Sequence, residues 1–168
     1  IRCENERCLQ LECESGFQAF VLDDSFESFR LSASVKLIGE GKCGLVFRID
    51  RKTRDGYYLS LDLFKGIAQI RSWGSGEKGS GEEMMRFSTL QQAYWEQAAR
   101  GEAQVQLLVF GSYIELSIDG RILLSLAHLR FTTGAVGFYV ESGTLSISNL
   151  AVRHLHSPQQ SDEHLPVG

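Results

Sequence analysis

Proline is almost missing from this sequence. Only Pro158 and Pro166 occur in 168 residues, and both fall in a polar, aperiodic stretch from His156 to Gly168 that reads as a loose extension of a single domain spanning residues 1–155. Basic runs are missing too. With 17 Lys and Arg against 21 Asp and Glu the net charge is −4, and no cluster of cations could track a phosphate backbone, which argues against nucleic acid as a partner. The longest apolar stretches, such as Val105–Phe110 with its one glutamine, fall far short of the roughly 20 residues that a membrane-spanning helix needs, so no membrane span is expected. No GxSxG elbow presents a serine nucleophile, and the CxxC spacing of a structural zinc site is absent.

Cysteine is sparse, at four residues. Cys8 and Cys13 are five positions apart and would point to opposite faces of one strand, and Cys43 lies in an apolar register. Reduced thiols and a cytoplasmic setting are therefore expected. The opening residues from Ile1 to Arg7 lack the apolar core of a signal peptide, and the chain reads as part of a longer protein, whose destination this segment does not fix. Of the four histidines, His128, His154, His156 and His164, only His154 and His156 share a strand face at two-residue spacing. No third ligand accompanies them, so solvated histidines rather than a metal site are expected.

What is abundant is alternation. Phe29, Leu31, Ala33, Val35 and Leu37 share one face of an extended segment, with Arg30, Ser32, Ser34 and Lys36 on the other. After a Gly-rich link the rhythm returns with Cys43, Leu45, Phe47 and Ile49 inward and Val46, Arg48 and Asp50 outward, and again with Tyr57, Leu59, Leu61 and Leu63 inward against Tyr58, Ser60 and Asp62. A strand from Ile67 to Trp73 follows, then a glycine-rich surface loop to Gly81. Residues 82–100 are compatible with a short helix or with an extended segment. From Ala103 the alternation is strong, and Asp119-Gly120 between two alternating segments marks a tight hairpin, because both central positions of its turn need positive φ. Later strands run from Arg121 to Leu126, over Val136 to Val140, and over Leu145 to Ala151. About ten to twelve short strands joined by tight turns predict an all-β fold, a two-sheet antiparallel β-sandwich of jelly-roll type.

The segments CGLVFRID, DGYYLSLDL and IAQIRSW, followed later by VFGSYIELSIDGRILLSL and GAVGFYVESGTLSISNLAV, resemble the concanavalin A-like (laminin G-like) jelly roll. Within that superfamily the stretch from Phe29 to Val152 is most similar to the C-terminal β-sandwich of glycoside hydrolase family 32. The resemblance implies an accessory module that packs against an upstream catalytic domain, binding carbohydrate or mediating a homodimer. It does not imply catalysis by this chain. The family's chemistry sits in a separate propeller, in WMNDPNG-like, Arg-Asp-Pro and Glu-Cys-Pro motifs. Here Glu12-Cys13-Glu14 lacks the proline, and Arg54-Asp55 runs on into glycine. The alternative reading is a free-standing laminin G-like binding or adhesion domain with a glycan or protein ligand.

Glu115 and Asp119 are the nearest approach to a paired-carboxylate glycosidase site, but Asp119 opens the Asp-Gly turn, which accounts for it without chemistry. No catalytic residue, metal or cofactor is assigned. The candidate ligand-binding residues are Arg48, Tyr58, Asp62, Arg71 and Trp73, outward positions on three successive strands. An aromatic ring can stack on the apolar face of a sugar while charged side chains hydrogen-bond its hydroxyls. The same residues would serve equally as cross-strand pairs on a solvated sheet face.

Overall fold

The computed structural model describes residues 2–5, 8–39, 41–74, 87–97 and 100–156. They form eleven antiparallel strands and no helix: β1 (Arg2–Asn5), β2 (Cys8–Phe26), β3 (Phe29–Ile38), β4 (Lys42–Ile49), β5 (Gly56–Asp62), β6 (Ile67–Trp73), β7 (Phe87–Tyr94), β8 (Glu102–Phe110), β9 (Tyr113–Ile118), β10 (Arg121–Ala127) and β11 (Gly134–His154). The all-β expectation holds. Phe87–Tyr94 settles the open choice between helix and strand in favour of strand, paired along β6 from Ile67↔Tyr94 to Trp73↔Phe87. The glycine-rich loop from Ser75 and the tail from Ser157 lie outside the described residues.

A continuous ladder runs β10-β9-β8-β3-β11-β4-β5-β6-β7, with β2 along the other side of β11. It makes two layers because β11 bends. Up to Glu141, β11 pairs with β4; from Thr144 it pairs with β3. Between these stretches Ser142 has φ 57° and Gly143 φ 153°, and the pairing to β2 shifts register at the same place. The expectation of two separate strands over 136–140 and 145–151 is corrected accordingly. Both stretches belong to one 21-residue strand that serves both layers. The 19-residue β2 was not legible as a strand, because its exposure pattern does not alternate cleanly on either side of its own bend at Gly16.

The first layer comprises β4 to β7 with the later part of β2 and the earlier part of β11. The second comprises β3, β8, β9 and β10 with the remainder. Between them lies a core that includes Phe29, Leu31, Leu45, Phe47, Tyr57, Leu59, Leu107 and Val136, all fully buried. Each such side chain contributes roughly 1.5–3 kcal/mol on removal from water. Phe29 meets Phe47 edge-on at 6.2 Å across the layers, and Phe47 stacks on Tyr57 at 5.0 Å. At the open side the Ser125 amide donates to Gln91 Oε1 at 3.1 Å, tying β10 to β7.

Cys8, Cys13 and Cys43 are free thiols. Burial of Cys43 pushes its thiol up to about 12, with the nearby Asp62 carboxylate adding to the shift.

Candidate binding cleft

The outer face of the first layer carries a second apolar cluster, made of Val46, Ile49, Tyr58, Ala135 and Tyr139 with Val21 and Trp73 packed against it. Its cause is visible along β4 and β5, where Leu45-Val46-Phe47 and Tyr57-Tyr58-Leu59 are apolar at consecutive positions and buried on both faces. Strict alternation would have left one face wet.

Register places the parts. Val46 stands opposite Tyr58 on β5 and opposite Gly137 on β11, and Gly137 in turn faces Val21 on β2. No side chain therefore stands between Val21 and Val46, and a depression opens there. Two residues along, Gly44 faces Tyr139. A Cβ on Gly44 would come within 2.6 Å of the Tyr139 ring and 2.0 Å of the Leu59 carbonyl, so only glycine lets that ring lie across the sheet. The Phe17 ring covers Tyr139, stacked at 4.9 Å and 25°, and remains 47% exposed on the other side. Tyr58 lies 6.3 Å from Tyr139. Burial pushes the Tyr139 hydroxyl far above its ordinary value, the Ser60 side chain beside it opposing the shift.

The resulting cleft has a volume of about 410 Å³. Its floor is Val46, Ile49 and Tyr58, one wall is Phe17, Gln18, Ala19 and Val21, and Arg51 and Arg54 stand at its rim. The rim is rigid. Asp50 Oδ1 accepts from the Lys52 and Thr53 amides at 2.8 and 3.0 Å, which holds the Asp50 carboxyl below its ordinary pKa, and the Arg54 amide donates to the Asp50 carbonyl at 2.7 Å. Arg54 itself has φ 65°, and its carbonyl accepts the Tyr58 hydroxyl at 2.8 Å. Arg51 Nη2 donates to the carbonyls of Leu22, Asp23 and Asp24, so this guanidinium is anchored to β2.

Of the five residues singled out from the sequence, only Tyr58 lines the cleft. Arg71 pairs with Tyr58 across β5 and β6, and Trp73 pairs with Gly56 and packs against the outer cluster, so these three are neighbours on one face. Asp62 lies four residues along β5 from Tyr58, about 13 Å away. Its Oδ1 accepts the Phe64 and Lys65 amides at 3.0 and 2.9 Å, closing the turn after β5.

Arg48 departs furthest from its expected place. Between Ala135↔Ile49 and Gly137↔Val46, β4 carries one more residue than β11, a bulge that puts Arg48 at φ 50°. The extra residue reverses which side the chain presents. Ile49, expected inward, joins the outer cluster. Arg48, expected outward, is 1% exposed, with Nε and Nη2 donating to the Glu27 carbonyl at 3.1 and 2.6 Å and Nη1 to the Phe131 carbonyl at 3.1 Å. Sequence reasoning missed Phe17, Arg51 and Arg54. The doubled apolar positions in β4 and β5 signalled a covered outer face, but nothing local linked them to Phe17.

Elsewhere, Asp119 has φ 50° and its Oδ1 accepts the Gln104 amide at 2.9 Å, while Glu115 accepts the Tyr113 hydroxyl at 2.6 Å. Among the described residues no group of three His, Cys, Asp or Glu side chains is placed to hold a metal ion. A second cleft, of about 360 Å³ on the outer face of the second layer, is lined by Ser34, Gln104, Asp119, Ser146 and Ser148 beside the Lys36–Glu102 ion pair, with no aromatic ring.

No family model and no curated protein matches the sequence. Among solved structures, the fold is similar to a carbohydrate binding module, CBM66, from Bacillus subtilis, with a TM-score of 0.72, 16% identity, and coverage of 86% of this chain and 85% of that one. A putative glycosyl hydrolase from Parabacteroides distasonis matches with a TM-score of 0.64, 13% identity and coverage of 89% and 81%. A Bacillus subtilis protein of unknown function with a galectin-like fold matches with a TM-score of 0.64, 15% identity and coverage of 88% and 81%. At these identities the likeness is one of fold alone, an antiparallel β-sandwich.

Proposed function

We propose that this chain is a carbohydrate-binding β-sandwich with no hydrolytic activity of its own, and that it holds its ligand in the cleft bounded by Phe17, Val46 and Tyr58. The observation that carries the reading is the half-exposed Phe17 ring, lying flat on Tyr139 at the edge of an apolar floor and close to the arginines of the β4–β5 turn. A sugar offers a C–H face and a rim of hydroxyls. The ring and floor suit the first, and guanidinium and amide donors suit the second. Trp73 and Arg71 extend the same face along β6, whereas Asp62 closes its own turn and Arg48 is buried against the Glu27 and Phe131 carbonyls.

The cleft can hold a glycoside without cleaving it. Its lining contains no carboxylate, and glycosidic hydrolysis by the usual route needs two. The similarity in fold to a carbohydrate binding module and to a putative glycosyl hydrolase supports placement as an accessory module beside an upstream catalytic domain. The family 32 arrangement, with or without a homodimer, is the specific form we favour, and free thiols at Cys8, Cys13 and Cys43 fit a reducing, cytoplasmic setting.

Calorimetric titration with a glycan panel that includes fructo-oligosaccharides tests the site. Phe17→Ala is expected to weaken binding about tenfold, the equivalent of about 1.4 kcal/mol, with the melting temperature nearly unchanged. Binding that survives Phe17→Ala but is lost in Gln104→Ala would move the site to the polar cleft of the second layer. Absence of binding across the panel would refute the reading.

A further inference from the structure

We propose that the saccharide held in this cleft is an acidic one, bearing a carboxylate or a sulfate that Arg51 and Arg54 receive at the rim; the inference rests on the carbohydrate reading above and specifies its ligand class. The charge balance of the lining is one-sided. Arg51 and Arg54 are its only charged residues, and its remaining members are apolar apart from Gln18 and the Tyr58 hydroxyl. This occurs in a chain of net charge −4, so the molecule's overall charge works against an anion and the local arrangement must supply the attraction.

Of the nearby carboxylates, Asp50, Asp23 and Asp24 are directed elsewhere, while Asp55, next to Arg54, acts on the Tyr58 hydroxyl and lines the adjoining recess rather than the cleft. Asp50 is committed to the Lys52 and Thr53 amides of its own turn. Asp23 and Asp24 meet Arg51 through their backbone carbonyls and are exposed outside the cleft. The Arg54 guanidinium makes no hydrogen bond or ion pair among the described residues, yet its backbone is pinned by the Asp50 carbonyl and the Tyr58 hydroxyl. A cation with a fixed base and unused donors beside an apolar floor matches an anionic group attached to a sugar ring. The planar guanidinium fork pairs with both oxygens of a carboxylate or sulfate in a way that neutral hydroxyls cannot reproduce. A recess of about 720 Å³ at the adjoining end of the sandwich shares Ile49 and Arg51 and adds the cations Lys52 and Arg130 together with the carboxylates Asp50 and Asp55. It offers room for a second residue of an acidic oligosaccharide.

The test uses two series of oligosaccharides, one of uronic acids and one sulfated, each member paired with its carboxyl-reduced or desulfated neutral counterpart. In one series the acidic member should bind about tenfold more tightly than its counterpart, and the difference should shrink in added salt. In Arg54→Gln, an exposed position whose fold is checked by its melting curve, the preference of the acidic member over its neutral counterpart should fall to about threefold or less. The series that shows the preference separates carboxylate from sulfate. Equal affinities within every pair would overturn the acidic ligand and leave the carbohydrate site standing. Binding of no member of either kind would overturn the site and this inference together, and a preference unchanged in Arg54→Gln would overturn the role given to the arginine.

Discussion

The Tyr57 hydroxyl and His128 Nδ1 lie 2.8 Å apart at the end of the core. The same hydroxyl accepts the Arg130 and Phe131 amides at 3.0 and 3.3 Å, which uses both of its lone pairs. Its proton must then point at His128, and Nδ1 must be an unprotonated acceptor. Burial first, and the Arg130 charge second, lower the His128 pKa below the ordinary 6.5.

Stability should therefore depend on pH with a defined sign. Above about pH 6.5 the imidazole is neutral in both folded and unfolded chains, and the contact is intact. Below that value the unfolded chain takes up the proton first, so stability falls as pH drops towards the lower, folded pKa. Urea denaturation between pH 7.5 and 5 should show this slope, and His128→Gln should flatten it. A slope unaltered in the variant would mean that other groups govern the acid limb.

Arg48 should prove to be a structural residue. Replacing it with Met leaves the Glu27 and Phe131 carbonyls without their donors, and a net loss of about 2–4 kcal/mol is expected in denaturant titrations. Glycan affinity, measured on the fraction that remains folded, should stay at the wild-type level.

Gly44→Ala probes the outer cluster from below. Its new methyl meets the Leu59 carbonyl and the Tyr139 ring at distances no real contact adopts, so the ring or the strand must move. A loss of about 1–3 kcal/mol is expected, together with weaker glycan binding, because Phe17 rests on that ring. Unchanged stability would show that the sheet relaxes more easily than its pairing implies.

Cys43 should be inert to thiol reagents in the folded chain. Its thiol, fully buried and pushed up to about 12, carries almost no thiolate at pH 8. Mass spectrometry after brief alkylation should find Cys8 and Cys13 modified and Cys43 unmodified, with Cys43 reacting only in denaturant. Labelling of native Cys43 at the rate of Cys8 would indicate local opening of β4.

Which residues face the core was written in the sequence wherever a strand has one wet side. Burial against the opposite layer requires an apolar residue at every second position, and β3 and β8 follow that rule over their whole length. The Asp119-Gly120 hairpin was legible for a similar reason, since positive φ at Asp119 and Gly120 restricts the residues that fit there. The cleft was decided at tertiary level. Phe17 and Tyr139 are 122 positions apart and meet only because β2 pairs with β11, a choice made by the packing of whole strands and not by any local pattern. The one-residue bulge at Arg48 moved an arginine out of the expected patch and Ile49 into the outer cluster, and such a bulge is fixed by the strand's partners rather than by its own residues.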